Sequence, residues 1–262
     1  MGVICSDRDS SVKDNCTCGY AGDTQKQSVE GLESALINLK LWWAAFFMCL
    51  LGALAFIAGS ILFLPELYDH ISIGVYLFVF GVSTFWVCWA WSAYNLRHRH
   101  TDYTSAAYKW DRLAETLWFF CYLSGYMPGS ILFLPGFDPV CVTIGAYMFV
   151  WGSVLLLFAQ TIQMIVFSWL NEQGNEPWIN KQADMFSGIS YLIGGSLWLV
   201  ASVLYLIGVT DNVIYQLAAG IYTVGSGFFT SGAVFALWAL NRRLQTTQKM
   251  LETARSGQIS SA

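Results

Sequence analysis

Charge is scarce in this sequence. Only 11% of its 262 residues are Asp, Glu, Lys or Arg and 56% are hydrophobic, whereas about 25% of the residues of an average soluble domain are charged. Twelve Trp, 13 Tyr and 18 Phe add to the apolar surface. One soluble core of this size cannot bury so much of it. The composition therefore excludes an ordinary soluble domain and favours a protein that lies in a lipid bilayer.

Charges are missing altogether from six stretches of the chain. A helix needs about 20 residues to cross roughly 30 Å of hydrocarbon, and each stretch is long enough. Short turns join the stretches in pairs, so we predict an all-α, polytopic membrane protein with six transmembrane helices arranged as three tandem helical hairpins. The stretches are Leu41–Pro65, His70–Leu96, Thr116–Phe137, Val140–Asn171, Met185–Thr210 and Val213–Asn241.

Lys and Arg are absent from the three tight turns. All 13 of them lie in the N-terminal segment, the two longer loops and the C-terminal tail. The positive-inside rule therefore predicts that both termini and both longer loops are cytosolic, in a plasma membrane or endomembrane if the source is eukaryotic. The first forty residues contain charges and no apolar core of a signal sequence, so we expect no cleaved signal peptide.

The predicted organisation alternates cytosolic segments with two-span repeats. Thr24-x-x-Gln27 resembles a capping box, and the spacing of the apolar residues after it predicts a helix over 25–40 that lies along the membrane surface. The segments are 1–40 (cytosolic), 41–96 (repeat 1), 97–111 (cytosolic loop), 112–170 (repeat 2), 171–183 (cytosolic loop), 184–241 (repeat 3) and 242–262 (cytosolic tail).

A seven-residue string repeats along the chain. Gly59-Ser60-Ile61-Leu62-Phe63-Leu64-Pro65 returns unchanged at 129–135, and a degenerate copy occupies 201–206. Small residues let helix backbones approach closely in a bilayer, so we predict that the small residues of these repeats pack the helices together. Pro128 should kink the third span. The predicted packing residues are Gly52, Gly59, Ser60, Gly81, Gly129, Ser130, Gly152, Gly194, Ala201 and Gly225.

Each repeat also continues into an apolar helix with Phe78-Val79-Phe80-Gly81 or Phe149-Val150-Trp151-Gly152-Ser153. This core resembles the YrhK-like domain, a small two-helix membrane unit of unassigned function. The similarity covers roughly 41–96, 112–168 and 184–241. The third copy departs from the pattern, because Ala201 replaces Gly and Ile207 stands where Pro would be. The resemblance implies an architecture and supplies no catalytic or ligand residues.

The N-terminus matches a lipidation pattern. Met1-Gly2-Val3-Ile4-Cys5-Ser6 fits M-G-x-x-x-[ST], in which Gly2 would carry a myristoyl group after removal of Met1. Cys5 would be a nearby palmitoylation site, and two acyl chains hold a protein stably at a membrane. The prediction is an acylated segment, and it assumes a eukaryotic source.

Side chains for chemistry are few. Ion-coupled transporters usually carry an intramembrane charge, and the six stretches contain none. Gln160 and Gln163 share a helix face and form either a narrow polar path or an interhelical hydrogen bond. His98, His100 and Asp102 are the only ligand-like cluster, but the basic loop around them suits anionic lipid better than a metal ion. We predict no catalytic residue, no metal and no cofactor.

The sequence leaves three functions open. The favoured one is a non-enzymatic, multi-pass membrane protein with a structural role that contacts lipids, other membrane proteins or further copies of itself, and no nucleic acid. The second is a channel or carrier for a small neutral or weakly polar solute that uses Gln160 and Gln163. The third is a metal-dependent enzyme at the face that holds His98 and Asp102.

Overall fold

The protein is described here by a computed structural model, which covers residues 20–98, 105–134, 136–173, 178–207 and 212–261. These residues fold almost entirely into helices. The helices are α1 (Tyr20–Leu62), α2 (Ile71–His98), α3 (Ser105–Phe120), α4 (Met127–Leu132), α5 (Pro139–Gln173), α6 (Trp178–Ile207) and α7 (Asn212–Ser261), with a 3₁₀ helix at Pro65–His70 and a π-helical segment at Cys121–Tyr126.

Five of the described helices are long and apolar enough to cross a membrane. The all-α fold and the presence of helices that could cross a membrane therefore agree with the prediction from the sequence. The qualifying segments are Val29–Leu62, Ile71–Asn95, Pro139–Val166, Ile179–Ile207 and Val213–Ser256.

The region of the third predicted span is helical as far as Leu132, but its helix type changes twice. α3, the π-helical segment and α4 follow one another without a break from Ser105 to Leu132. Pro128 explains the change from α-helix to π-helix, because proline lacks an N–H and its ring clashes with the carbonyl group four residues earlier. The N–H of Met127 donates to the carbonyl oxygen of Tyr122, five residues back, so the helix widens immediately before the proline.

The first and last helices, α1 and α7, pack against each other beyond the predicted spans. We predicted a separate helix over 25–40 on the membrane surface, but α1 continues through this region in one piece. α7 extends in the same way, and the two helices pack together. Trp42 and Leu240 lie in one buried cluster, and Arg255 Nη2 donates to Glu33 Oε1 at 2.5 Å. The polar half of α1 thus has a protein partner, which removes the reason for it to turn onto the lipid surface.

The two ends of the bundle differ in chemistry. At the end that holds the short connections, here called the turn end, the ring of Phe133 lies 6.2 Å from that of Phe63 and 5.3 Å from that of Tyr205. The opposite end, here called the basic end, holds the ion pairs of α7. Arg243 pairs there with Asp184 of α6, and both side chains are largely buried.

Aromatic rings fill the axis between these ends. Phe78, Phe149 and Tyr222 come from equivalent positions of the three repeats, and their ring centroids form a triangle with sides of 6.1, 6.3 and 6.4 Å. Trp198 is 1% exposed and stacks on Phe78 at 5.6 Å. The three repeats therefore meet in one ring-filled core.

Candidate functional site

Glu115 is an ionisable residue whose side chain is almost completely buried. It lies in α3, and only 7% of its surface is exposed. Glutamates are almost never buried to this degree unless other groups satisfy them. Glu115 and its surroundings are therefore a candidate site.

One carboxylate oxygen of Glu115 is held by two helices. Ser92 Oγ of α2 donates to Oε1 at 2.6 Å, and Gln163 Nε2 of α5 approaches the same oxygen at 3.4 Å. Trp89 Nε1 donates to the backbone carbonyl of Glu115 at 2.8 Å. Trp118 Nε1 donates to Gln163 Oε1 at 3.0 Å, which fixes the amide so that its N–H₂ side faces Glu115. The network positions the carboxyl group without neutralising it by a cation.

The other oxygen, Oε2, is buried without a hydrogen-bond partner. An unsatisfied buried oxygen is costly, so such a group in a native fold calls for an explanation. Glu115 lines a cavity of about 120 Å³ between α1, α2, α3, α5 and α6. Most of the cavity wall is aromatic, and its remaining members are four polar residues and two cysteines: Trp42, Phe46, Cys49, Phe85, Cys88, Trp89, Ser92, Glu115, Trp118, Tyr122, Gln160, Gln163 and Tyr191.

Burial sets the protonation state of this carboxyl group. Loss of water raises the pKa of Glu115, the hydrogen bond from Ser92 lowers it and the negative charge of Asp111 raises it, and together these effects move the pKa from 4.5 to about 8. The group is therefore protonated and neutral in most molecules at pH 7. It exchanges its proton close to physiological pH, as groups at binding and catalytic sites often do.

The structure brings the two predicted glutamines to this cavity. Gln160 is 7% exposed and lines the wall, and Gln163 bonds to Glu115. The hydroxyl groups of Thr161 and Thr223 have a different role, because each donates to a carbonyl oxygen four residues earlier in its own helix. The polar features of α5 thus meet a carboxyl group instead of extending a path along the axis.

The other candidate sites are not assembled in the described part of the chain. His98 ends α2, whereas His100 and Asp102 lie outside the described residues, as do the lipidation candidates Gly2 and Cys5. Among the described residues, no three His, Cys, Asp or Glu side chains are grouped in a way that could hold a metal ion.

The predicted packing residues are buried at contacts between helices of this chain. A Cβ at Gly52 or Gly59 would meet α2, one at Gly129 would meet α5, and one at Gly194 would lie 2.9 Å from the carbonyl oxygen of Gly225. Gly81 lies against Phe56 and Gly152 against Tyr126. Ser130 Oγ and Ser202 Oγ donate to their own helices, Ser60 Oγ is buried without a partner, and Ala201 is fully buried.

Sequence reasoning missed Glu115 because it stands in repeat 2 one residue before the charge-free stretch that starts at Thr116, and so just outside the predicted span. A signal was present. Glu115, Trp118 and Tyr122 follow one another at intervals of three and four residues, which places all three on one face of a helix. A carboxyl group in line with aromatic residues indicates a face that packs against protein.

Comparison of the chain with protein-family models, with curated proteins and with solved structures finds no match. The resemblance to the YrhK-like domain accordingly stays a prediction.

Proposed function

We propose that this chain is an integral membrane protein with six spans and with both termini in the cytosol. Five helices have the length and composition of spans. The sixth would be the predicted stretch that begins at Thr116, whose helical residues up to Leu132 carry no charge and directly follow Glu115. An even number of spans leaves all 13 Lys and Arg residues on one side, as the positive-inside rule requires.

Glycosylation mapping tests this topology. The N-terminal segment contains a natural acceptor, Asn15-Cys16-Thr17, which we expect to remain unmodified in eukaryotic cells because it is cytosolic. A hydrophilic insert with the same acceptor sequence should be glycosylated after Asp69 and unmodified after Glu252. Modification of Asn15, or of both inserts, would contradict the proposed six spans.

We propose that the protein binds a small polar solute in the cavity at Glu115 and acts as a carrier, without catalysis. The observation that supports this role is the buried carboxyl group with one oxygen unsatisfied in a lined cavity. A solute in the cavity could supply the partner that this buried oxygen lacks among the described protein groups.

The alternative structural role has weaker support. Its motivating feature was the small-residue faces, and those faces contact helices of the same chain. They need no partner protein. The basic segments remain available for contact with anionic lipid, which accompanies any membrane protein of this topology.

Uptake into proteoliposomes tests the carrier. The Gln160→Leu/Gln163→Leu double variant should lose the solute flux that the unmodified chain supports across a panel of small polar solutes, because the cavity loses two of its four polar groups. Gln216→Leu is the matched control, since Gln216 lies exposed at the turn end, bonded to Glu66. Flux equal to that of protein-free vesicles for every solute would leave the structural role as the better account.

A further inference from the structure

The cavity at Glu115 combines two features that attract the same kind of ligand. Its walls present the indole rings of Trp42, Trp89 and Trp118, and the faces of aromatic rings attract cations. Its one acidic group, Glu115, is nine-tenths buried and has an oxygen without a partner. No Lys, Arg or His is among the residues that line the cavity.

We infer that this cavity binds a small organic cation with an alkylated ammonium head, for which Glu115 supplies the countercharge and the tryptophans the apolar, electron-rich wall. This inference rests on the proposed function and names the class of solute. Alkylated ammonium groups suit the site because their methyl groups pack against rings while their charge is neutralised by one carboxylate.

Other ligand classes fit less well. A phosphate or carboxylate would meet a carboxyl group and no basic side chain. Calcium requires six to eight oxygen ligands and magnesium an octahedral set of them, whereas this wall is mostly aromatic. The size is adequate, because a volume of 120 Å³ corresponds to roughly eight water positions, and choline has about seven non-hydrogen atoms.

Binding of the cation is coupled to release of a proton. The O–H bond of the Glu115 carboxyl group breaks, its proton passes to water, and the cation takes its place, so that the charge inside the cavity is unchanged. The other titratable groups that face the cavity are the thiols of Cys49 and Cys88 and the phenols of Tyr122 and Tyr191, with Asp111 one turn earlier on α3. None of these groups is positively charged in any protonation state, so none substitutes for the cation.

The decisive experiment compares two probes of the same shape. Choline and 3,3-dimethyl-1-butanol differ only in the exchange of a charged nitrogen for a neutral carbon. Equilibrium binding of radiolabelled choline is measured on the full chain in nanodiscs of phosphatidylglycerol, a lipid without an ammonium group, and the butanol is added as competitor. We expect choline to bind about ten-fold or more tightly than the butanol, as the cation–π and ionic contributions require.

Two variants tie the discrimination to the site. Glu115→Gln should reduce choline affinity about ten-fold or more and bring it close to that of the butanol. Glu252→Gln removes an exposed carboxylate on α7 and should bind choline as the unmodified chain does. Thermal unfolding in the same nanodiscs shows whether Glu115→Gln is folded. Trp118→Phe is a second variant, which replaces one indole ring of the cavity wall and leaves Glu115 in place.

The pH dependence of choline affinity is a further test. With a pKa of about 8, the ionised fraction of Glu115 falls from one half at pH 8 to about one tenth at pH 7. Choline affinity should therefore weaken about five-fold between these pH values, since only the ionised form binds the cation. The Glu115→Gln variant should show no such dependence.

The outcomes separate the two proposals. Tighter binding of choline supports a cation site, and competition by a short-chain phosphatidylcholine below its micelle concentration would identify a lipid headgroup instead of a free solute as the source of the ammonium group. Equal or tighter binding of the neutral butanol would overturn the cation inference and leave solute binding intact. Failure of both probes, together with no flux for any solute of the wider panel, would overturn both.

Discussion

At the scale of single residues, the chemistry centres on a carboxyl group that has lost most of its water. Burial favours the protonated form of Glu115 and raises its pKa to about 8. In the unfolded chain the same group ionises near its ordinary pKa of 4.5. The folded protein therefore holds a proton that the unfolded chain releases over the pH range between these two values.

This difference predicts how stability changes with pH. The contribution of Glu115 is fully present below about pH 4.5 and declines as pH rises to about 8, because the folded state binds one more proton than the unfolded state in that interval. Thermal unfolding in nanodiscs should show that the advantage of the unmodified chain over Glu115→Gln shrinks from pH 5 to pH 8.

The control for this prediction is Glu252→Gln, whose side chain is exposed and is not among the residues that line the cavity at Glu115. Its unfolding temperature should follow that of the unmodified chain at every pH. A constant difference between the unmodified chain and Glu115→Gln across the interval would mean that Glu115 is already ionised in the folded protein.

At the scale of the helices, the π-helical segment packs against α5 through two glycines, whose backbones touch because neither has a side chain. A Cβ built on Gly125 would lie 2.6 Å from the Cα of Gly152, and neither backbone has a flexible group that could move away. Gly125→Ala should therefore force the two helices apart and lower the free energy of unfolding by about 2 kcal/mol or more.

Gly220→Ala provides the matched comparison for this contact, because a Cβ at Gly220 in α7 would meet nothing within 4 Å. This substitution should be neutral or stabilise the chain by up to about 1 kcal/mol, since alanine favours the helix more than glycine does. Equal effects of the two substitutions in a denaturation assay would contradict the close crossing.

A second contact between elements is the ion pair that joins α6 to α7 at the basic end. Arg243 is 8% exposed, so Asp184→Ala removes a carboxylate that pairs with a buried positive charge and should cost up to about 3–5 kcal/mol. Glu33→Ala breaks the exposed pair with Arg255 and should cost less than about 1 kcal/mol. Chemical denaturation of both variants measures the contrast, and similar costs would show that burial does not decide the strength of these pairs.

The helices themselves were largely predictable from the sequence, for a simple reason. Absence of charge over about 20 residues is a local property, and the predicted stretch His70–Leu96 agrees closely with α2. The continuous course of α1 was not predictable, because the polar residues near Glu33 are held by the distant tail of α7. The helix face that carries Glu115 could have been read from the sequence, but the assembly of the site could not, since Ser92, Glu115 and Gln163 are far apart in sequence and meet only in the fold.

At the scale of the whole molecule, the aromatic rings that fill the bundle axis favour a carrier over a channel. Phe78, Phe149 and Tyr222 meet at centroid distances of 6.1–6.4 Å, which leaves no passage between the rings. The cavity at Glu115 lies on the side of this layer that faces the basic end, beside Trp42 and Trp89. A solute that enters the cavity can reach the other side only if the helices rearrange.

If the proposed carrier role is correct, transport should therefore saturate with solute concentration and should not involve an open pore. In planar bilayers that contain the purified chain, we expect no unitary currents, whereas a pore-forming peptide added as a positive control produces them. The rate of solute uptake into proteoliposomes should reach a plateau as the solute concentration rises, because each cycle requires the ring layer to open. Unitary currents, or uptake that rises linearly without limit, would mean that the axis opens to form a continuous pore and would overturn the carrier mechanism.

The same layer predicts which phenylalanines matter for stability. Phe149 is 4% exposed and belongs to the triangle, whereas Phe158, on the same helix, is 61% exposed. Phe149→Ala should lower the free energy of unfolding by about 3–5 kcal/mol, because it leaves a void where the three repeats meet. Phe158→Ala should cost less than about 1 kcal/mol, since its ring faces outward and lipid replaces it at little cost. If both variants unfolded at the same denaturant concentration, the rings at the axis would not be what holds the three repeats together, and the barrier to an open pore would have to lie elsewhere.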